Sequence, residues 1–89
     1  MNDSTYEIKE DGKNGTITVL ADRIIRTHKK TFGKDDVHIF PMKSITDIRL
    51  DRKILGADLV KLKVGLVSYE WKVKDAEQMV ADLQAKMYA

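Results

Sequence analysis

The sequence predicts a mainly β domain of the α+β class, in which a curled antiparallel sheet of six or seven short strands precedes a single C-terminal helix. Three observations support this. Apolar residues alternate with polar ones in several short segments separated by turn-forming residues. The last two of these segments flank Gly65-Leu66, which suits a tight hairpin. After Lys74 the apolar spacing changes from two residues to about 3.6, as in a helix.

Two strands are predicted at the start of the chain. Their apolar residues alternate with polar ones, as in strands with one buried face. They are Tyr6 and Ile8 in the first strand, and Ile17 and Val19 in the second, which covers residues 16–20. The first strand is expected to end at Asp11-Gly12. Asn14-Gly15 is a strong hairpin signal, so we interpret residues 12–16 as the turn, with a loop longer than two residues.

Three more strands are predicted in the middle of the chain. A turn at Ala21-Asp22 leads to a strand over residues 23–28, whose facing stays open because two isoleucines are adjacent in it. A loop over residues 29–35 then leads to a strand over residues 37–40 that stops at Pro41. The segment after Pro41 is too short and polar for a helix. We interpret it as a turn leading into a strand over residues 46–53, with Ile48 and Leu50 facing inward.

The terminal hairpin has the best-defined register. A glycine at the first position of a two-residue loop suits a type II′ turn. That turn pairs Val64 with Val67, Leu62 with Tyr69 and Val60 with Trp71, and it places Lys61 beside Glu70 on the outer face. Tyr69 and Trp71 share one face and could form a stacking platform for nucleic acid. Because valines continue the same face, we favour a core role for both.

The helix is predicted from its apolar stripe and its first residues. The stripe consists of Ala76, Met79, Val80, Leu83 and Met87. Asp75 is a good N-cap residue, and Gln78 three positions later completes a capping box. The stripe is therefore expected to cover the sheet.

Composition limits the function classes. The 89 residues fit one domain over residues 1–89, and the absence of cysteine excludes disulfides, thiolate metal sites and a cysteine nucleophile. No apolar run is long enough for a membrane span and the N-terminus does not resemble a signal peptide, so a cytoplasmic location is expected. The net charge of +2 does not by itself imply nucleic acid or membrane.

Several segments resemble the small bacterial pleckstrin-homology-like (PH-like) domains. The resemblance covers residues 16–87 and depends on Asp22-Arg23-Ile24-Ile25, on the segment from Ile39 to Ile48 and on Trp71 before the helix. It implies a PH-like bent antiparallel β-barrel of six or seven strands, closed at one end by the C-terminal helix. It also implies an adaptor or oligomerising module without catalytic activity.

The residues themselves offer no constellation for catalysis. His28 and His38 are the only histidines, and neither has a carboxylate partner at a spacing that local structure would bring together. We therefore predict no enzyme, no catalytic residue, no metal site and no cofactor. Both histidines are interpreted as structural.

A basic segment over residues 23–34 is the first candidate for binding. It contains Arg23, Arg26, Lys29, Lys30 and Lys34 and no acid. Phe32 lies among its lysines, so Lys29, Lys30, Phe32 and Lys34 are the predicted anion-binding residues, for phosphoinositide-like lipid headgroups or nucleic acid. In the alternative, Phe32 folds back on the sheet and the lysines form a solvated rim.

An unexpectedly apolar connection is the second candidate. Ile54 and Leu55, flanked by Arg52 and Lys53, are the predicted partner-binding residues, although Ile54 and Leu55 could instead plug the open end of the barrel. The leading hypothesis is a non-catalytic module that binds a protein or another copy of itself through an exposed sheet edge and this loop. Anion binding by residues 23–34 is the alternative.

Overall fold

The computed structural model describes residues 4–30, 32–53, 56 and 58–88. Seven strands precede one helix, which confirms the predicted fold class. The strands are β1 Ser4–Glu10, β2 Lys13–Val19, β3 Arg23–His28, β4 Asp36–Pro41, β5 Ile45–Asp51, β6 Asp58–Val64 and β7 Val67–Val73. A 3-10 turn, Met42–Ser44, links β4 to β5, and the helix α1 is Ala76–Met87.

The strands form one antiparallel sheet in the order β4-β3-β2-β1-β7-β6-β5. The first strand therefore pairs with the last, through Ile8 with Val73 and Lys9 with Lys72. Although β4 and β7 are not neighbours in this order, the rings of Phe40 and Tyr69 lie edge to face with centroids 5.1 Å apart. The sheet is thus bent so that its inner face closes on itself.

The core lies between the two halves of the bent sheet and under α1. Trp71, Ile17 and Val19 have no exposed surface, and on the helix Met79 and Leu83 are equally buried. Met87 packs against the core and is partly buried. The apolar stripe of the helix and the core role of Trp71 are therefore confirmed.

A hydrogen bond ties the helix to the start of β1. The hydroxyl of Tyr6 donates to Asp82 Oδ2 at 3.1 Å. Burial is the main cause that raises the pKa of the Tyr6 phenol, because it disfavours the phenolate. The helix thus covers the end of the sheet where β1 begins, and Glu10 lies at the opposite end of that strand.

The terminal hairpin has the predicted register. Val64 pairs with Val67, and the ladder continues through Val60 with Trp71. Gly65 has a φ of 62°, as the first position of a type II′ turn requires. On the outer face, Lys61 Nζ lies 3.9 Å from Glu70 Oε2.

The first hairpin differs from the prediction. Its turn is Asp11-Gly12, both with positive φ, and Glu10 pairs with Lys13, so the loop has two residues. Asn14 and Gly15 lie inside β2. Gly15 is needed there for close packing, since a Cβ at this position would lie 2.3 Å from the carbonyl oxygen of Thr27.

The helix begins where predicted, but the capping box is wrong. Asp75 is the N-cap residue, with φ −107° and ψ 54°, and its side chain makes no capping hydrogen bond. The first turn retains its favourable acid, Glu77, at the positive end of the helix dipole. Packing of the stripe therefore contributes more to the position of the helix than capping does.

Candidate functional site

The open side of β4 is the main candidate for a binding surface. β4 is the last strand at one side of the sheet and pairs only with β3 within the described residues. The N–H of Met42 donates to the carbonyl of Asp22 at 2.8 Å, one step beyond the pair of Arg23 with Pro41. Because hydrogen-bonded pairs alternate along an antiparallel ladder, the even-numbered residues of β4 bond to β3. The N–H and C=O groups of Val37 and Ile39 therefore point away from the sheet.

Pro41 fits this assignment. It occupies the third outward-pointing position of β4, where the missing N–H removes no ladder hydrogen bond. Its carbonyl remains available on the same side. The open side of β4 thus presents a row of donors and acceptors that an added strand could pair with.

The side chains beside this row are apolar. Val37 is 60% exposed and Ile39 is 51% exposed, both on the outer face of the sheet. Ile25 on β3 lies directly opposite Ile39 and is half-buried. We call Ile25, Val37 and Ile39, with the outward-pointing backbone of β4, the β4 edge surface.

The opposite edge strand is protected against such pairing. β5 has an irregular register between Ile45 and Asp47, and α1 packs against it. Arg49 Nε bonds to Asp47 Oδ2 at 2.8 Å, and the carboxylate of Asp51 contacts two lysines. Bulges, charges and a covering helix are the usual means of blocking an edge strand. Within the described residues, the β4 edge surface has apolar side chains and a pairing with β3 that contains no bulge, and the protective feature it carries is Pro41.

The structure separates the residues of the basic segment. Arg23 forms two bonds to Asp22, at 2.9 and 3.0 Å, and these lower the pKa of that carboxyl. Lys30 Nζ lies 3.2 Å from Asp36 Oδ1. Of the basic residues in this segment, Lys29 and Lys34 have no acid partner among the described residues, while Phe32 is 87% exposed. Phe32 therefore does not fold back on the sheet.

Arg26 belongs to a half-buried cluster on the inner face that sequence reasoning missed. Its Nη1 lies 3.2 Å from Glu10 Oε1, which His28 Nε2 approaches at 2.8 Å. His28 thus has a carboxylate partner that lies 18 positions away in the sequence, so local spacing does not reveal it. The Arg26 guanidinium also lies 5.4 Å from the ring centroids of both Phe40 and Tyr69. The cluster links β1 to β3 across Gly15, where no side chain intervenes.

Two of the four predicted partner-binding residues can be placed. Ile54 and Leu55 lie outside the described residues. Arg52 Nη2 is 3.3 Å from Glu77 Oε2, and Lys53 Nζ is 3.2 Å from Asp51 Oδ2. Both basic residues are thus engaged with acids of the domain itself.

The described residues contain no cluster of metal ligands. Across residues 4–30, 32–53, 56 and 58–88, no three histidine or acidic residues converge as metal ligands. His38 stacks on Phe40 with ring centroids 4.4 Å apart. The described helix is also too short and too polar to cross a membrane.

A bent seven-stranded antiparallel sheet with one C-terminal helix defines the PH-like class of domains. Residues 3–81 match the family model of the bacterial PH domain, and the chain belongs to that family. PH-like domains are generally non-catalytic interaction modules. A search of curated proteins found no match.

Proposed function

We propose that this bacterial PH domain binds a protein partner by accepting an extended segment along the β4 edge surface. The observation that carries the proposal is the open backbone of β4 beside Val37 and Ile39, two exposed apolar side chains. Backbone hydrogen bonds would supply affinity in this mode, and the side chains flanking the ladder would supply selectivity.

The contrast between the two edge strands supports the proposal. Exposed apolar edge strands promote aggregation, and proteins usually protect them. Here β5 carries such protection, whereas β4 exposes a valine and an isoleucine. A partner strand would cover this apolar surface and pair the outward-pointing N–H and C=O groups.

The test uses a proline at an outward-pointing position. Val37→Pro removes an N–H that faces the partner and leaves the hydrogen bonds of β4 to β3 intact, as Pro41 already does. Val37→Thr keeps both the β-branched shape and the N–H. Leu66→Ser is the matched control, since it removes an apolar side chain that is 96% exposed at the β6–β7 turn and is not part of the β4 edge surface.

The four immobilised proteins are compared in the capture of partners from bacterial extract, and amide hydrogen exchange is measured with and without the captured partner. We expect Val37→Pro to lose the partner, and the parent, Val37→Thr and Leu66→Ser to retain it. In the complex, the amides of Val37 and Ile39 should become protected. Equal capture by Val37→Pro, or protection confined to another surface, contradicts the proposal. Capture of the chain by itself identifies a second copy as the partner.

Anion binding is the second candidate function, and the exposed ring of Phe32 favours it. Lys29 and Lys34 have no acid partner within the described residues and lie in the same loop. However, Arg23, Arg26 and Lys30 are bonded to acids, so the segment presents fewer available charges than its composition indicates. Binding to anionic vesicles or DNA that falls steeply with salt, and that is lost in Lys29→Ser with Lys34→Ser, supports this alternative.

A further inference from the structure

A cleft at the C-terminal end of β4 extends the proposed surface. It has a volume of about 500 Å³ and lies between the β2–β3 turn, the 3-10 turn and the last turn of α1. Pro41 lines the cleft and is also the last outward-pointing residue of β4. A segment that pairs along β4 therefore reaches the cleft within about two residues beyond Ile39, or roughly 7 Å.

The floor of the cleft is apolar. Met42 is buried there, and Met87 packs against the core with part of its side chain accessible. Methionine side chains adapt to irregular apolar groups. The volume is sufficient for one or two side chains of a docked segment.

The rim of the cleft is positively charged. Lys43 and Lys86 line it, and neither forms an ion pair within the part of the chain that the structure describes. The one acid in the lining, Asp22, is bonded twice to Arg23 and so is already neutralised. The C-terminal end of α1 contributes about half a negative charge, which two ammonium groups outweigh. The cleft thus favours an acidic group beside an apolar one.

We infer that the cleft selects the partner: the segment on β4 runs antiparallel to it and begins with an acidic residue next to an apolar residue. The antiparallel direction is the favoured one, because parallel ladders are slightly less stable per residue. In this direction the residues preceding the paired stretch enter the cleft, where their carboxylate meets Lys43 and Lys86. The inference rests on the proposed function, because β4 is what delivers the segment.

Synthetic peptides test the inference by fluorescence anisotropy. The probe is a blocked peptide of about ten residues that begins Leu-Asp-Leu-Glu and continues with valine alternating with threonine and lysine. A second peptide has Asn and Gln in place of the acids, and a third carries the acidic pair at its C-terminal end. The proteins are the parent, Lys43→Gln with Lys86→Gln, Val37→Pro, and Lys13→Gln with Lys63→Gln. The last is a matched control that removes two exposed lysines elsewhere on the domain.

We expect the first peptide to bind the parent about three- to tenfold more tightly than the other two, as two partly screened ion pairs allow. Lys43→Gln with Lys86→Gln should abolish that difference, and the control pair should preserve it. Equal binding of the three peptides, a preference that persists without Lys43 and Lys86, or no peptide binding at all overturns the inference.

The Val37→Pro protein separates this inference from the proposed function. If Val37→Pro weakens the binding of all three peptides while the lysine variants leave peptide binding unchanged, strand addition on β4 is supported and the cleft does not select the acidic peptide. If it binds as the parent does while removal of the two lysines abolishes the preference, the cleft binds acidic segments and strand addition on β4 is wrong.

Discussion

Gly15→Ala is expected to destabilise the protein, although local backbone propensity alone predicts that it stabilises it. Gly15 lies inside β2 with an ordinary strand conformation, so alanine should stabilise the protein by about 0.4–1 kcal/mol through the unfolded state. A Cβ at this position, however, would lie 2.3 Å from the Thr27 carbonyl oxygen and 3.0 Å from His28 Cδ2. The first neighbour is backbone and cannot rotate away, so β2 and β3 must separate.

The magnitude of the destabilisation follows from two costs and one gain. Forcing extra volume into a packed site costs about 1–3 kcal/mol, and displacement of His28 from Glu10 adds about 1 kcal/mol. Subtracting the propensity gain leaves a net loss of roughly 1–3 kcal/mol. For a domain of this size, each kcal/mol lowers Tm by about 4–8 °C, so a fall of roughly 5–20 °C is expected.

Thermal and urea unfolding, monitored by the fluorescence of the buried Trp71, provide the measurement. The variant Gly15→Ala with His28→Ala is the control, because it removes the side-chain obstacle and leaves the backbone one. We expect this double variant to gain nothing over Gly15→Ala. A Gly15→Ala protein as stable as the parent would refute the close approach of β2 to β3.

Two further predictions concern the helix and its bond to β1. Leu83→Ala should lower the free energy of unfolding by about 2–5 kcal/mol, because this side chain is fully buried. As a control, Gln84→Ala at the exposed neighbouring position should change the free energy of unfolding by no more than about 0.5 kcal/mol. Equal urea midpoints for the two variants would contradict the packing of Leu83. Tyr6→Phe should cost about 0.5–1.5 kcal/mol at neutral pH through loss of the bond to Asp82. The pKa of Tyr6 is raised above 10.0 in the folded protein, so the stabilising contribution of this residue is complete below about pH 10. The contribution is lost as the pH rises through the pKa of Tyr6 in the folded protein. Over that range the parent should therefore lose more stability than the phenylalanine variant.

The sequence predicts elements well where local pattern and turn chemistry agree. In the terminal hairpin, alternation on both strands and Gly65 in the turn point to the same register, and the structure has it. In the first hairpin two turn signals compete, Asp11-Gly12 and Asn14-Gly15, and the choice of the second was wrong. Gly15 is required by the close approach of β3, which residues near Gly15 in the sequence do not reveal. Likewise, Asp75 has the right residue type and position for a cap but forms no capping bond.

The candidate surface was only partly predictable. β4 itself follows from alternation, but its place at the side of the sheet depends on strand order, which local patterns do not encode. The unpaired N–H and C=O groups of Val37 and Ile39 follow from that order. The contact between Glu10 and His28 has the same origin, since each residue continues the inner face of its own strand and the two meet only across β2.

The pairing of β1 with β7 also determines when this sheet can be completed. Its two hairpins at either end of the chain are local and can form early, but the seam at Ile8 and Val73 joins residues from near the start and near the end of the domain. Such distant pairing slows folding, typically to milliseconds or longer. During synthesis, β1 has one unpaired edge until β7 has left the ribosome and can pair with it. The nascent chain therefore carries an additional unpaired strand edge that the finished protein lacks, and aggregation is expected to compete with folding at that stage.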